Sequence, residues 1–289
     1  MGVHTIENEY LKVTVADAGA ELVSVVDKAT GQERIWTGDP AVWNRHAPIL
    51  FPFVGKLVDG KYRVGGSEYA MKTQHGFARD MEFACAEETP TSIKHILTSN
   101  DKTRENYPFD FRLTVEHRLG TGRQLYIRWT VENTSGGEML YCIGGHPGFL
   151  LPEGVNKEDC YITFPGADAL HYIHASPAGY AVAEPKALPL EGGRARYRAD
   201  IPDTWIFEDG QVKAVGIALP DGKPYVSMDC EQFPLLAVWA NPKGPFICLE
   251  PWFGRADDEG FTGSIDQKKA IEHLAEGGKK EISYRIEFF

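Results

Sequence analysis

Apolar and polar side chains alternate at every second residue in segment after segment of this chain, and that period leaves little room for any fold not built from strands. Leu11, Val13 and Val15 alternate with Lys12 and Thr14. Leu125, Ile127, Trp129 and Val131 alternate with Tyr126, Arg128, Thr130 and Glu132, and Ile282, Tyr284, Ile286 and Phe288 repeat the pattern near the carboxyl end. Further strands are expected at 20–27, 92–98, 111–119, 214–219, 225–229, 235–240 and 246–250, with Gly, Pro, Asn and Asp clusters between them. Connections this short favour antiparallel pairing. Only one segment argues for a helix: Ser264 can cap, Asp266 falls in the first turn, Ala270, Ile271 and Leu274 share a face, and Gly277-Gly278 stops the run. With 30 glycines, 18 prolines and no repeating βα unit, the expected architecture is all-β, a large antiparallel β-sandwich. Its core should include Trp129, Val131, Phe246 and Ile247. No linker or repeat divides residues 1–289, so one domain is expected.

Charge and cysteine usage narrow the partners. A net charge of −11 disfavours nucleic acid and anionic membranes. The first residues lack the apolar core of a signal peptide and no later stretch has the length and apolarity of a membrane span, so a soluble, cytoplasmic protein is expected, as a monomer or homodimer. Five cysteines, an odd number with no CxxC spacing, fit reduced thiols. His171 and His174 form an HxxH without further ligands at suitable spacing, which argues against zinc there. Asp257-Asp258-Glu259 reads as a solvated loop. GxSxG, P-loop and GxGxxG fingerprints are absent, which argues against serine hydrolases, NTPases and dinucleotide enzymes.

Two segments place a proton-carrying side chain where a strand is breaking. Glu250 ends the apolar run Pro245-Phe246-Ile247-Cys248-Leu249 and shares strand parity with Phe246 and Cys248. If that face is buried, the carboxyl points inward at a cost of several kcal/mol unless it is paired or stays near water in a cleft. The alternative is that the strand ends at Pro251 and Glu250 fans out to solvent. Trp252 and Phe253 beside it favour the cleft, since aromatic faces stack on the C–H face of a sugar ring. His146 follows two glycines and precedes Pro147, so the backbone can approach a ligand and the side-chain direction is fixed. His75 sits at a similar Gly turn, with Arg79 and Asp80 close enough in sequence to pair structurally. A turn histidine without a task is the commoner occurrence, so His146 and His75 gain weight only together with Glu250. A carboxylate base and an imidazole near its pKa make an acid/base pair for a flat, hydroxylated ligand.

Five segments in register along most of the chain resemble the aldose 1-epimerase (galactose mutarotase) family, and more narrowly its divergent bacterial mutarotase-like branch. They are Ala47-Pro48-Ile49-Leu50-Phe51-Pro52-Phe53-Val54-Gly55-Lys56, Gln74-His75-Gly76-Phe77-Ala78-Arg79, His146-Pro147-Gly148-Phe149, Asp203-Thr204-Trp205-Ile206-Phe207 and Phe246-Ile247-Cys248-Leu249-Glu250-Pro251-Trp252. The resemblance implies a galactose mutarotase-like supersandwich that interconverts the α and β anomers of a hexose without metal or organic cofactor. It implies that Glu250 is the general base and His146 the general acid. By the same resemblance His75 lies near the ring oxygen and Asp203 holds sugar hydroxyls, with Trp252 stacking. Where the family carries an Arg after the early loop this chain has Lys56, with Arg45 close by in sequence. A Lys cannot make the same forked contacts, which bears on hexose preference and on activity.

Two other readings remain open at the level of sequence. A hexose-6-phosphate 1-epimerase would use the same acid and base and need cations, which Arg45, His46, Lys56 and Arg79 could supply. The acidic charge balance and the lack of an evident phosphate nest favour free hexoses. A non-catalytic carbohydrate-binding or sensing protein would keep the groove, although binding alone does not require a proton donor opposite an acceptor. A glycosidase would want paired carboxylates, and only Glu250 has suitable surroundings.

Overall fold

The computed structural model describes residues 2–197 and 204–289. About 49% of the chain is strand and 6% helix. Two large antiparallel sheets dominate the described residues, one of nine strands and one of eight, accompanied by a three-stranded sheet from the amino-terminal strands Val3–Glu7, Leu11–Ala16 and Leu22–Asp27. In the nine-stranded sheet, strands Ala84–Glu88, Ser92–Thr98, Phe111–Leu119 and Gln124–Asn133 follow one another as a meander. The last strand, Lys279–Phe288, is central there, between Gln124–Asn133 and Pro224–Asp229.

The alternation seen in the sequence is what closes the core. In Phe111–Leu119 every second side chain is buried, and across it Leu113 faces Val131 while Val115 faces Trp129. Trp129, Val131, Phe246 and Ile247 are all fully buried, as expected. One cluster of buried apolar side chains runs from Ile6 to Phe288.

Phe246–Phe253 lies inside the eight-stranded sheet, between Leu235–Trp239 on one side and the short strands Ile143–Gly145 and Gly148–Leu150 on the other. All eight of its residues are buried, so its sequence does not alternate and is apolar except at Glu250. Ile247 and Leu249 join the main core. Phe246 and Cys248 instead pack with Trp36, Trp43 and Trp239 in a second, smaller cluster on the opposite face. The strand continues through Pro251 to Phe253, so Glu250 does not fan out to solvent.

The expected helix at 264–277 does not form. Ser264 caps a single 3-10 turn, Ile265–Gln267, with Gln267 completing a capping box. Lys268 is then drawn inward to an ion pair with Asp257, and Ala270 takes φ 54°, which a helix cannot accommodate. Glu272–Leu274 pairs as a strand with Met139–Tyr141. The same ion pair corrects the reading of 257–259: Asp257 is buried and also accepts from the Val58 amide at 2.9 Å. Among the described residues no helix is long and apolar enough to cross a membrane.

Candidate active site

Neighbouring strands of the eight-stranded sheet present one face to a cavity of about 550 Å3. Register aligns the side chains across three strands: Ile206 lies opposite Ala237 and Ala237 opposite Glu250, while Thr204 lies opposite Trp239 and Trp239 opposite Cys248. Ala237 is small, which leaves room beside the Glu250 carboxyl. Trp252, two residues on from Glu250, lines the same cavity.

The opposite wall comes from loops. His146 lies between the short strands Ile143–Gly145 and Gly148–Leu150, and its amide donates to the Pro48 carbonyl at 3.2 Å. Gly144 is required for this approach: a Cβ there would lie 2.6 Å from the Trp252 ring. The imidazole is held by aromatic faces, with Trp43 at 4.9 Å, Trp239 at 5.4 Å and the His75 ring at 5.6 Å between centroids. Its Nε2 lies 3.2 Å from Glu250 Oε2. Cys248 stands beside them: one donor atom from each of His146, Cys248 and Glu250 falls within 4.8 Å of the others, a set with the chemistry to hold a metal ion.

Burial decides the protonation of this pair. Glu250 is 1% exposed, and removal from water pushes its carboxyl well above the usual carboxylate range, with the Trp252 indole opposing. Burial also pushes His146 down, to about 3. Burial thus disfavours the charged form of both groups, and at 3.2 Å they approach without a formed hydrogen bond, Glu250 Oε2 and His146 Nδ1 each lacking a partner. This reverses the expectation that Glu250 rests as a carboxylate.

His75 occupies the left-handed region at φ 66°, and its Nδ1 accepts from the Gly55 amide at 3.0 Å. Burial, with the neighbouring His146, holds the ring neutral. A neutral imidazole that accepts at Nδ1 carries its proton on Nε2, so His75 is a fixed donor in the cavity wall. The turn depends on Gly76, where φ is +69° and a Cβ would lie 2.3 Å from the Phe51 carbonyl oxygen.

Lys56 lines the cavity, its Nζ donating to the Ala178 carbonyl at 2.9 Å and lying 5.1 Å over the Tyr180 ring. Arg45 does not line it: its guanidinium donates to the Arg79 carbonyl at 3.0 Å and pairs with Asp80. The guanidinium in the wall belongs to Arg79, which donates to the Gln74 carbonyl at 2.7 Å and leaves Nε without a partner. Asp203 lies outside the described residues, while Thr204 beside it is in the wall. His174 reaches the cavity past a bulge, and His171 is exposed.

Trp43, Trp239, His174 and Asn241 were not anticipated from sequence. Trp239 was within reach, because antiparallel pairing of 235–240 with 246–250 puts it on the Glu250 face. Trp43 and Asn241 sit in loops that carry no periodic signal.

The family model for aldose 1-epimerase matches residues 2–186. The chromosomal protein LacX of Lactococcus lactis subsp. lactis is 30% identical over 293 residues, covering 97% of each chain. A galactose mutarotase related enzyme from Lactobacillus acidophilus superposes with TM-score 0.93 at 32% identity, over 100% of this chain and 97% of the other. A galactose mutarotase-like protein from Lactobacillus casei ATCC 334 gives the same TM-score and identity with 100% of both chains covered. On this family match and this extent of identity and coverage, the chain belongs to the aldose 1-epimerase family.

Proposed function

We propose that this protein is a mutarotase that interconverts the anomers of a hexose, with Glu250 and His146 as its proton-transfer pair. The observation that carries the reading is the 3.2 Å approach of His146 Nε2 to Glu250 Oε2 in the wall of a cavity lined by Trp43, Trp239 and Trp252. Opening a cyclic hemiacetal requires loss of the proton on the C1 hydroxyl and gain of one at the ring oxygen. Both oxygens are bonded to C1, so adjacent donor and acceptor groups can serve them together.

One mobile proton suffices. With that proton on His146, the Glu250 carboxylate accepts the C1 hydroxyl proton while the imidazolium protonates the ring oxygen as the C1–O5 bond breaks. The open aldehyde then faces a protonated Glu250 and a neutral His146, which is the arrangement burial favours. Rotation about C1–C2 presents the other aldehyde face. Closure returns a proton from Glu250 to the C1 oxygen and one from the ring hydroxyl to His146. Each positioned group contributes about 10²–10⁴-fold. His75 donates from Nε2 toward the sugar, Trp252 offers an apolar face, and Lys56 and Asp203 remain proposed contacts to hydroxyls.

Polarimetry or anomer-resolved NMR on freshly dissolved α-anomers of free hexoses tests the reading. Mutarotation should exceed the spontaneous rate and fall by two or more orders of magnitude in Glu250→Gln. No excess over the spontaneous rate on any aldose would overturn it. A second reading, a hexose-6-phosphate 1-epimerase, is favoured by the Arg79 guanidinium in the cavity wall. A kcat/KM at least tenfold higher on a 6-phosphate would put that reading first.

A further inference from the structure

A second cluster of titratable side chains lies away from the sugar cavity, where the three-stranded sheet meets the outer hairpin of the nine-stranded one. His4 comes from strand Val3–Glu7 and Asp17 from just beyond Leu11–Ala16. Cys85 and His95 face each other across the hairpin of Ala84–Glu88 and Ser92–Thr98, with a bulge immediately after Cys85. Asp17 Oδ1 receives both imidazoles, at 2.9 Å from His4 Nε2 and 3.1 Å from His95 Nε2. One donor atom each from His4, Cys85 and His95 lies within 4.8 Å of the others. His95 is fully buried, and its remaining ring nitrogen has no partner.

We propose that His4, Cys85 and His95 form a binding site for a divalent cation of the zinc class, with Asp17 orienting the two imidazoles. Two imidazoles and one thiolate are donors of the kind zinc prefers, with the fourth position left to water, and the thiolate together with the adjacent Asp17 carboxylate neutralises the ion. The surrounding groups are those of a metal site. Glu88 Oε2 accepts from His4 Nδ1 at 2.8 Å, which fixes that ring with Nε2 toward the cluster, and the Gly2 amide holds the other Asp17 oxygen at 2.7 Å. Access is open, since His4 is 20% exposed and Cys85 is only partly buried. Binding releases the Cys85 thiol proton and the His4 Nε2 proton, while His95 keeps its Nε2 proton on Asp17 and offers the unpartnered Nδ1. Three donors from two sheets on one ion would fasten the amino-terminal sheet to the hairpin.

Cobalt(II) titration of the whole purified chain, after dialysis against chelator, tests this directly. Expected is a thiolate-to-cobalt charge-transfer band with strong tetrahedral ligand-field bands, saturating at one equivalent, together with a zinc-dependent rise in the unfolding midpoint. Both should vanish in Cys85→Ser, whose partly exposed position tolerates the change, and survive in Cys248→Ser, which removes the thiol of the other grouping. Absence of the band in the wild type, or its loss in Cys248→Ser with retention in Cys85→Ser, would overturn the assignment. Neither readout depends on sugar turnover.

Discussion

Replacing Glu250 by Gln should make the protein less active and, above mildly acidic pH, more stable, by an amount that grows with pH. In the folded state burial holds the Glu250 carboxyl protonated well above its usual range. In the unfolded chain it ionises near pH 4.3. A group whose folded pKa is raised contributes stability that is fully present below the unfolded pKa and is lost as pH rises toward the folded one. Between those limits the folded state binds one proton more than the unfolded state, so wild-type stability falls by about 1.4 kcal/mol per pH unit from this group. Gln cannot ionise and lacks that slope.

The wild type alone would conceal the effect. His146 is displaced in the opposite sense, to about 3, and so adds stability as pH rises from there to its unfolded value near 6.5. The two slopes oppose each other over the mildly acidic range. Making the Glu250→Gln comparison in a His146→Asn background removes the His146 contribution and leaves that of Glu250. Urea unfolding at pH 5, 6 and 7 should show the difference growing with pH, in favour of the variant. A difference that stays flat would mean that Glu250 is ionised in the folded protein, and the proton assignment of the pair would be wrong.

Three further outcomes can be checked on the same protein. His146→Asn should lower kcat by about 10²–10⁴-fold, and the double variant with Glu250→Gln should be little worse than the poorer single one, because members of one proton circuit do not act additively; near wild-type mutarotation in both folded single variants would leave the family resemblance describing the fold and not the activity. Trp129→Ala, at a fully buried position, should cost about 3–5 kcal/mol in urea unfolding without altering the pH dependence of turnover. Gly76→Ala places a Cβ 2.3 Å from the Phe51 carbonyl oxygen in a left-handed backbone, so it should cost upwards of about 1 kcal/mol and raise KM by displacing His75; unchanged stability and KM would show that the turn does not position that ring.

How much of this could be read from sequence follows the range of the forces involved. Period two is a local property, and it located Ser92–Thr98 and Phe111–Leu119 to the residue. The segment at 264–277 has good local helix signals, yet Asp257 captures Lys268 and Met139 pairs with Leu274, contacts the local pattern does not contain. Glu250 and His146 were recognisable because glycines, prolines and aromatics mark each of them locally. Arg45 was chosen over Arg79 because proximity to Lys56 in sequence carries no information about which guanidinium turns inward. The His4, Asp17, Cys85 and His95 grouping draws on four separate strand ends or strands and leaves no spacing motif at all.

The protonation of the proposed acid/base pair lies further still from sequence. Read singly, a Glu is a carboxylate at pH 7 and a His is near its midpoint, which suggests a resting ion pair. The fold removes water from both at once, and an isolated buried charge costs far more than a shared proton between neutral partners. Burial therefore favours the form of the pair that follows ring opening in the proposed reaction. A bound hemiacetal supplies hydrogen-bonding oxygens to both groups, which lowers the cost of separating the charges. On this account the substrate creates its own base: a ligand with its C1 hydroxyl removed should bind in the same cavity yet leave Glu250 protonated.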